Sequence, residues 1–355
     1  VSNSHQDPPH ARGRGAQENP GNRFERLHYE PDPEATGERS RVETRFYIDH
    51  TQKILSTNDS PDIPFRYSIN PYRGCEHGCI YCYARPTHEY LGFSAGLDFE
   101  SRIMVKTEAP RLLREELMSP RWIPEEIAIS GVTDCYQPCE RKFQLTRKCL
   151  EVLAEFRNPV GVITKNHLVT RDIDLLQDLA AHDAARVYVS ITTLDESLAR
   201  TMEPRTSSPS MRLDAIRKLS DAGIPAGVMT APVIPGLNDH EIPAILQAAS
   251  EAGARYAGYV VLRLPWGVKD LFTDWLERER PGEKEKVLSR LRSMRSGKLN
   301  SAEFRDRMRG EGIFAEQVRA LFQAGARRAG LDKGGPELST AHFRRPGPRQ
   351  MELFG

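Results

Sequence analysis

Three cysteines fall within eight positions of this 355-residue chain, in the segment Gly74-Cys75-Glu76-His77-Gly78-Cys79-Ile80-Tyr81-Cys82. Their spacing is C-x3-C-x2-C. Thiolates are soft ligands for iron, and a compact loop can wrap three of them around three corners of a cubane iron–sulfur cluster. Three protein ligands leave one iron open to a substrate or cofactor. Gly74 and Gly78 permit the tight backbone that such wrapping needs. A structural zinc site is the competing reading. It wants a fourth ligand, for which His77 and His88 are nearby. Zinc sites usually pair two separated C-x2-C units, and no second such unit occurs here.

The elements that must position this loop read as a parallel α/β fold. Short apolar runs at 127–131 (IAISG), 160–164 (VGVIT), 187–191 (VYVSI), 226–231 (AGVMTA) and 257–263 (AGYVVLR) predict strands. Helical periods at 143–156, 172–182, 211–222 and 240–252 fall between them. Strands that alternate with amphipathic helices imply a sheet buried on both faces. With one strand before Cys75 and another near 101–106, the pattern predicts a partial (β/α) TIM-like barrel of about six βα units. Sites in such barrels lie at the C-terminal strand ends. Thr133, Asp134, Lys165, Asn166, Thr192 and Thr193 fall there.

Around this unit, spanning about 41–265, the composition shifts. Residues 1–40 hold five prolines and four glycines with few aliphatics, which predicts a disordered segment. Residues 266–331 read as a helical extension; within 267–331 there are fifteen Lys/Arg and ten Asp/Glu. Residues 332–355, rich in Gly, Pro and Arg at their start, read as a flexible tail. Fifty basic residues against 49 acidic ones exclude a global attraction to nucleic acid but leave room for a local basic patch. Residues 290–309 offer one, with seven basic and two acidic side chains, although a solvated helical face explains the run as well. No apolar run approaches the ~18 residues needed to span a bilayer. Six cysteines are too few for a disulfide scaffold, and with no apolar leader the reading expects a cytoplasmic, reducing setting.

Several segments together carry a family resemblance. Cys75, Cys79 and Cys82, with Tyr81 before the last cysteine, resemble the signature of the radical S-adenosylmethionine (SAM) superfamily. Asn70-Pro71-Tyr72-Arg73-Gly74-Cys75, Thr133-Asp134-Cys135-Tyr136-Gln137-Pro138-Cys139-Glu140, Glu203-Pro204-Arg205 and Val233-Ile234-Pro235-Gly236-Leu237-Asn238-Asp239 resemble its spore photoproduct lyase-like group, also labelled DNA repair photolyase-related. The likeness spans about residues 65–280. It implies a [4Fe–4S] cluster whose open iron chelates SAM, reductive cleavage to a 5′-deoxyadenosyl radical, and hydrogen abstraction from a substrate. It also implies an electron donor such as flavodoxin or ferredoxin.

The resemblance favours Tyr81, Thr133, Lys165 and Ser190 as SAM contacts, and Arg205 offers a fork for a carboxylate or phosphate. Cys135, Tyr136 and Glu140 are the catalytic candidates, since a thiol just past a strand end is placed to return hydrogen to a substrate radical. The group carries its own donor cysteine at the position of Val132 and a proline at that of Cys135. Three functions compete: a radical SAM enzyme acting on nucleic acid, in lesion reversal or base modification; one acting on a protein or small molecule; and a zinc-stabilised nucleic-acid-binding module without catalysis. The end of the chain, Gln350-Met351-Glu352-Leu353-Phe354-Gly355, resembles the pentapeptide by which bacterial DNA polymerase III and repair proteins dock on the sliding clamp. Gln350, Leu353 and Phe354 would make the contacts, with DNA as the further partner.

Overall fold

The computed structural model describes residues 11–25, 42–304 and 306–347. Its strands are β1 (Arg45–Ile48), β2 (Leu55–Thr57), β3 (Tyr67–Ile69), β4 (Tyr72–Arg73), β5 (Arg102–Val105), β6 (Ile127–Ile129), β7 (Val160–Thr164), β8 (Ala185–Ser190), β9 (Ala226–Val233) and β10 (Tyr256–Val261). Seven of them form the main sheet in the order β10-β9-β8-β7-β6-β3-β2. From β3 to β10 every neighbouring pair is parallel, and β2 closes the far edge antiparallel to β3. Six parallel strands with crossover helices make the expected partial barrel. One expected strand goes elsewhere: β5 pairs with β1 and β4 in a separate three-stranded sheet.

The sheet forms where the sequence alternates. In β8, Val187 and Val189 bury against the helices, while Arg186 and Tyr188 turn to the other face, ion-paired to Glu126 and packed on Tyr256. The helices Leu145–Phe156, Ile173–Ala180, Pro209–Asp221 and Ile242–Glu251 bring their apolar faces to the same core. Burying these apolar stripes against the helix-covered face of the sheet is what holds the barrel together.

The regions outside the barrel are more built than composition suggests. Residues 11–25, inside the segment expected to be disordered, lie against the cysteine loop: the Glu100 carboxylate accepts from Gly15 N at 3.1 Å and Ala16 N at 2.8 Å. Residues 1–10 and 26–41 are outside the described residues. The start of the expected flexible tail also packs. Arg345 donates to the carbonyls of Leu117, Ser119 and Trp122, Arg344 N reaches Phe156 O at 2.9 Å, and Pro336 O accepts from Arg186. These segments are held by hydrogen bonds of backbone groups and arginine side chains rather than by apolar periodicity, so composition misjudges them. Gln350, Leu353 and Phe354 lie outside the described residues.

The basic extension contains the helices Val268–Glu279, Lys284–Ser293, Asp306–Arg309 and Gly312–Arg328. The first two share a second apolar core with the cysteine loop: Val268, Leu271, Phe272, Trp275, Leu276, Val287 and Leu291 pack around Cys79, Ile80 and Tyr81. The extension is therefore the wall behind the site. Among the described residues no helix is long and apolar enough to cross a membrane.

Candidate functional site

The loop from Gly74 to Cys82 is anchored on every side. Cys75 N donates to Phe99 O at 2.9 Å, and Ile80 N to Met202 O at 2.9 Å. Arg205 N reaches His77 O at 3.2 Å. The buried Gln137 amide clamps the loop twice, accepting from Glu76 N at 2.9 Å and donating to Gly74 O at 3.1 Å. Below the loop the Arg85 guanidinium donates to Cys79 O at 3.0 Å and Gly78 O at 3.3 Å, and ion-pairs with Glu100. Both members of that pair are 0% exposed.

Gly74 and Gly78 have φ of +79° and +67°. A Cβ at Gly74 would lie 2.9 Å from Phe99 O, and one at Gly78 2.7 Å from a Glu100 carboxylate oxygen. Only glycine meets both demands. The N-terminal strap presses just as closely: a Cβ on Gly15 would lie 1.8 Å from Gly78 O.

Cys75, Cys79 and Cys82 are all free thiols. Burial pushes each thiol upward, and at Cys75 the neighbouring Asp134, Cys79 and Cys82 add to this. Lys165 pulls the other way at both Cys79 and Cys82, joined by Arg212 at the first and Arg85 at the second. Buried thiols of this kind ionise when a bound cation takes their charge. Three thiols in one short loop with positive side chains around it are the donor chemistry a cubane cluster takes from three protein ligands, although among the described residues no three His, Cys, Asp or Glu side chains are gathered as a metal-holding group. For the zinc reading, each of the two nearby histidines has a ring nitrogen engaged, and among the described residues the buried His88 Nδ1 has no hydrogen-bond partner. His77 sits between Asp134, at 3.4 Å, and Asn166, at 3.0 Å. His88 Nε2 faces Arg102 O at 2.8 Å, and burial brings its pKa down to about 4.

The C-terminal strand ends supply the facing side. Lys165 Nζ, just past β7, donates to Thr192 Oγ1 at 3.1 Å and Ala231 O at 2.8 Å. It lies 5.6 Å from the centre of the Tyr81 ring, and the Tyr81 hydroxyl is 3.3 Å from Thr192 Oγ1. Beneath them Glu203 forms a buried pair with Arg212 at 2.5 Å. Burial works upward on that carboxyl, but Arg212 and Lys165 hold it down at about 2. Among the described residues its Oε1 has no hydrogen-bond partner. Asp134 accepts from Thr164 Oγ1 and Lys165 N, both at 2.7 Å; against burial, His77 and these bonds keep its pKa below the usual range.

Of the residues expected at the site, Tyr81 and Lys165 meet beside the cysteines. Ser190 is buried at the end of β8, its carbonyl accepting from Arg212 at 3.1 Å. Thr133 serves the loop instead, donating to Tyr72 O at 3.0 Å. Arg205 pairs with Glu76, inside the cysteine loop, at 3.1 Å. Cys135, Tyr136 and Glu140 are not brought to the mouth. Ser130 turns the chain at φ +83° after β6, and Cys135 and Tyr136 fold back into the main core. Tyr136 donates to Asp172 at 3.1 Å, and Glu140 accepts from Tyr72, Thr146 N and Arg171. Burial raises the Cys135 thiol well above its ordinary range.

Three contributors are given no role by the sequence reading. Asn70 Oδ1 accepts from the backbone N–H groups of Gly131, Val132 and Thr133, at 3.2, 2.9 and 3.3 Å, and so shapes the loop after β6. The Arg85–Glu100 pair has no sequence signal beyond two charges in an apolar stretch. Tyr83, next to Cys82, donates its hydroxyl to Gly131 O.

The family model described as the radical SAM superfamily matches residues 69–249. An uncharacterized protein of Mycobacterium tuberculosis (strain ATCC 25618 / H37Rv) is 37% identical over 250 residues, covering 70% of this chain and 72% of that protein. One from Methanocaldococcus jannaschii is 32% identical over 176 residues, 50% of this chain and 63% of its own length. Among solved structures, spore photoproduct lyase complexed with dinucleoside spore photoproduct is similar with a TM-score of 0.60 at 16% identity, over 82% of each chain. A mutant of that enzyme with bound AdoMet and the same dinucleoside gives 0.59 at 17% identity, again over 82% of each chain. These likenesses show a shared fold, and the family implies a [4Fe–4S] cluster and SAM. The model match covers the cysteine loop, four of the six parallel strands whole (β6 to β9) and the last residue of β3, and on it the chain belongs to the radical SAM superfamily.

Proposed function

We propose that this chain holds a [4Fe–4S] cluster on Cys75, Cys79 and Cys82, cleaves SAM reductively, and takes hydrogen from a nucleic acid. The observation that carries the reading is the loop of three free thiols whose Tyr81 meets Lys165 and Thr192 at the C-terminal strand ends. When bound, the cluster supplies the electron that breaks the sulfonium carbon–sulfur bond, giving methionine and a 5′-deoxyadenosyl radical; a carrier such as flavodoxin or ferredoxin replaces that electron.

The protein's part is to bind, orient and exclude water. The Lys165 ammonium offers its charge to the SAM carboxylate or ribose. Glu203, with one oxygen unpartnered, holds negative potential below it. The Val268–Glu279 and Lys284–Ser293 helices close the apolar wall behind Tyr81. Cys135, Tyr136 and Glu140 brace the floor from the core, and the hydrogen is returned from elsewhere. The nucleic-acid substrate is supported by spore photoproduct lyase, which shares the fold and is described bound to a dinucleoside lesion. The tail residues Gln350, Leu353 and Phe354 would tie the activity to a sliding clamp, which a pull-down with and without 350–355 tests.

The deciding experiment is anaerobic. The chain is reconstituted with iron and sulfide, reduced, and examined by electron paramagnetic resonance with and without SAM, with 5′-deoxyadenosine assayed in the presence and absence of damaged DNA. A [4Fe–4S] signal that changes with SAM, and 5′-deoxyadenosine formation stimulated by DNA, are expected. Formation that no nucleic acid stimulates would move the substrate to a protein or small molecule.

A further inference from the structure

Past β10, at the open edge of the sheet, two cations stand without carboxylate partners. The Arg263 guanidinium lies over the Tyr83 ring, 5.1 Å from its centre. Among the described residues its Nη1 reaches the Met308 sulfur, at 3.7 Å, a weak acceptor. Its Nε is buried with no partner. Arg295 is 4% exposed and spends its Nη groups on the carbonyls of Asp306, Leu262 and Arg307. Its Nε is likewise unpartnered. Among the described residues neither guanidinium forms an ion pair; of the nearby carboxylates, Asp62 is paired with Arg307 at 2.7 Å, and the charge of Asp306 works upward on Arg295 without an ion pair. Burial lowers both pKa values. At Arg295 the charge of Arg263 adds to this, bringing it to about 10. Two adjacent, partly dehydrated cations are a standing cost that a bound anion relieves.

Two exposed rings, Tyr83 against Arg263 and Trp266 three residues further along the chain, narrow the anion. Tyr83 follows Cys82 and is 45% exposed. Trp266, three residues beyond Arg263, is 57% exposed and has φ +46°, a left-handed conformation rare for a bulky residue and associated with functional sites. Arg23 covers the indole at 4.1 Å. Guanidiniums that lack carboxylates, set among exposed aromatic faces, are the means by which proteins hold a single nucleic-acid strand.

We propose that Arg263, backed by Arg295, binds a phosphodiester of a single-stranded or locally unstacked nucleic acid, with Trp266 stacking on a base. This rests on the nucleic-acid reading above and adds the place where the strand is held. A phosphate on Arg263 lies beside Tyr83, one residue from Cys82, so the next nucleotide falls at the cysteine loop.

The test uses the full chain and a fluorescein-labelled single-stranded DNA of about twelve nucleotides, read by anisotropy across about 50–200 mM salt. Arg263→Gln is expected to weaken binding about tenfold and to flatten the salt slope by about one charge. Arg263→Lys restores the slope, and Trp266→Ala weakens binding roughly 5- to 100-fold with the slope unchanged. Arg217→Gln, on the exposed face of Pro209–Asp221, is the control, and thermal melting confirms that each variant is folded. Wild-type binding that Arg263→Gln leaves unaltered in affinity and slope overturns the site while the nucleic-acid reading stands. Absence of wild-type binding to this strand and to a duplex of the same sequence overturns both.

Discussion

Glu100 is the residue on which the N-terminal strap and the cysteine loop both depend, and replacing it with glutamine isolates its charge. The carboxylate is fully buried and ion-paired to Arg85. It also accepts from Gly15 N and Ala16 N. Glutamine keeps the volume but leaves the Arg85 charge uncompensated. Breaking a buried pair from one side costs about 3–5 kcal/mol. Arg85 still donates to the carbonyls of Gly78, Cys79, Ala95 and Gly96, so the lower end, about 3 kcal/mol, applies. The amide must also point its NH2 at Arg85 or at one of the strap N–H donors, and losing a hydrogen bond to a charged group adds about 1.5 kcal/mol. The sum is roughly 4–5 kcal/mol, which at about 2 °C per kcal/mol for a chain of this size lowers the melting temperature by about 8–10 °C.

Two assays read this change. Circular dichroism of the cluster-free chain gives the melting temperature. Limited trypsin digestion follows the strap, since Arg12 and Arg14 become cleavable once Gly15 and Ala16 detach. The double variant Arg85→Met with Glu100→Met is expected to recover much of the loss, because removing both charges removes the stranded one. A Glu100→Gln melting temperature within about 2 °C of wild type, with the strap still protected, would refute the argument that this pair ties strap to loop.

Other outcomes follow from the same geometry. Cys75→Ala, Cys79→Ala and Cys82→Ala are each expected to lose the brown iron–sulfur absorbance after reconstitution, while Cys149→Ala, a core thiol, keeps it; iron and sulfide analysis decides. Lys165→Ala removes the ammonium that bridges Thr192 and Ala231 and is expected to weaken SAM binding about tenfold or more by calorimetry, as loss of a charged contact does, with iron content unchanged. Glu203 has a folded pKa of about 2 against an ordinary 4.5, so its stabilisation is complete above pH 4.5 and is lost as pH falls toward 2. The linked free energy is about 3 kcal/mol, and urea unfolding at pH 7 and pH 3 should show a smaller pH dependence in Glu203→Gln than in wild type.

The chemistry and the barrel were legible in the sequence for one shared reason: both are written in local spacing. C-x3-C-x2-C states how many thiols a short loop can gather, and strands of valine and isoleucine alternating with 3.6-period helices state a parallel sheet. The observed helices Leu145–Phe156, Ile173–Ala180, Pro209–Asp221 and Ile242–Glu251 fall where that period placed them. Strand β5 shows the limit. Its residues read as a strand and are one, yet nothing local says which sheet it joins, because pairing with β1 is set by partners more than fifty residues away.

The larger omissions concern order without periodicity. Residues 11–25 carry no apolar repeat, so composition argues for disorder. What fixes them is an acceptor elsewhere in the chain, Glu100, together with the room that Gly15 leaves beneath Gly78. The same holds for Cys135, Tyr136 and Glu140. A strand end predicts that following residues reach the mouth, but the left-handed turn at Ser130 and the Asn70 side chain bend the chain there, sending Cys135 into the core and leaving Val132 exposed at the rim. There Tyr83 stands beside Cys82, bonded to Gly131 and stacked on Arg263, so a substrate seated on that arginine lies against the ring of Tyr83 and away from the thiol of Cys135.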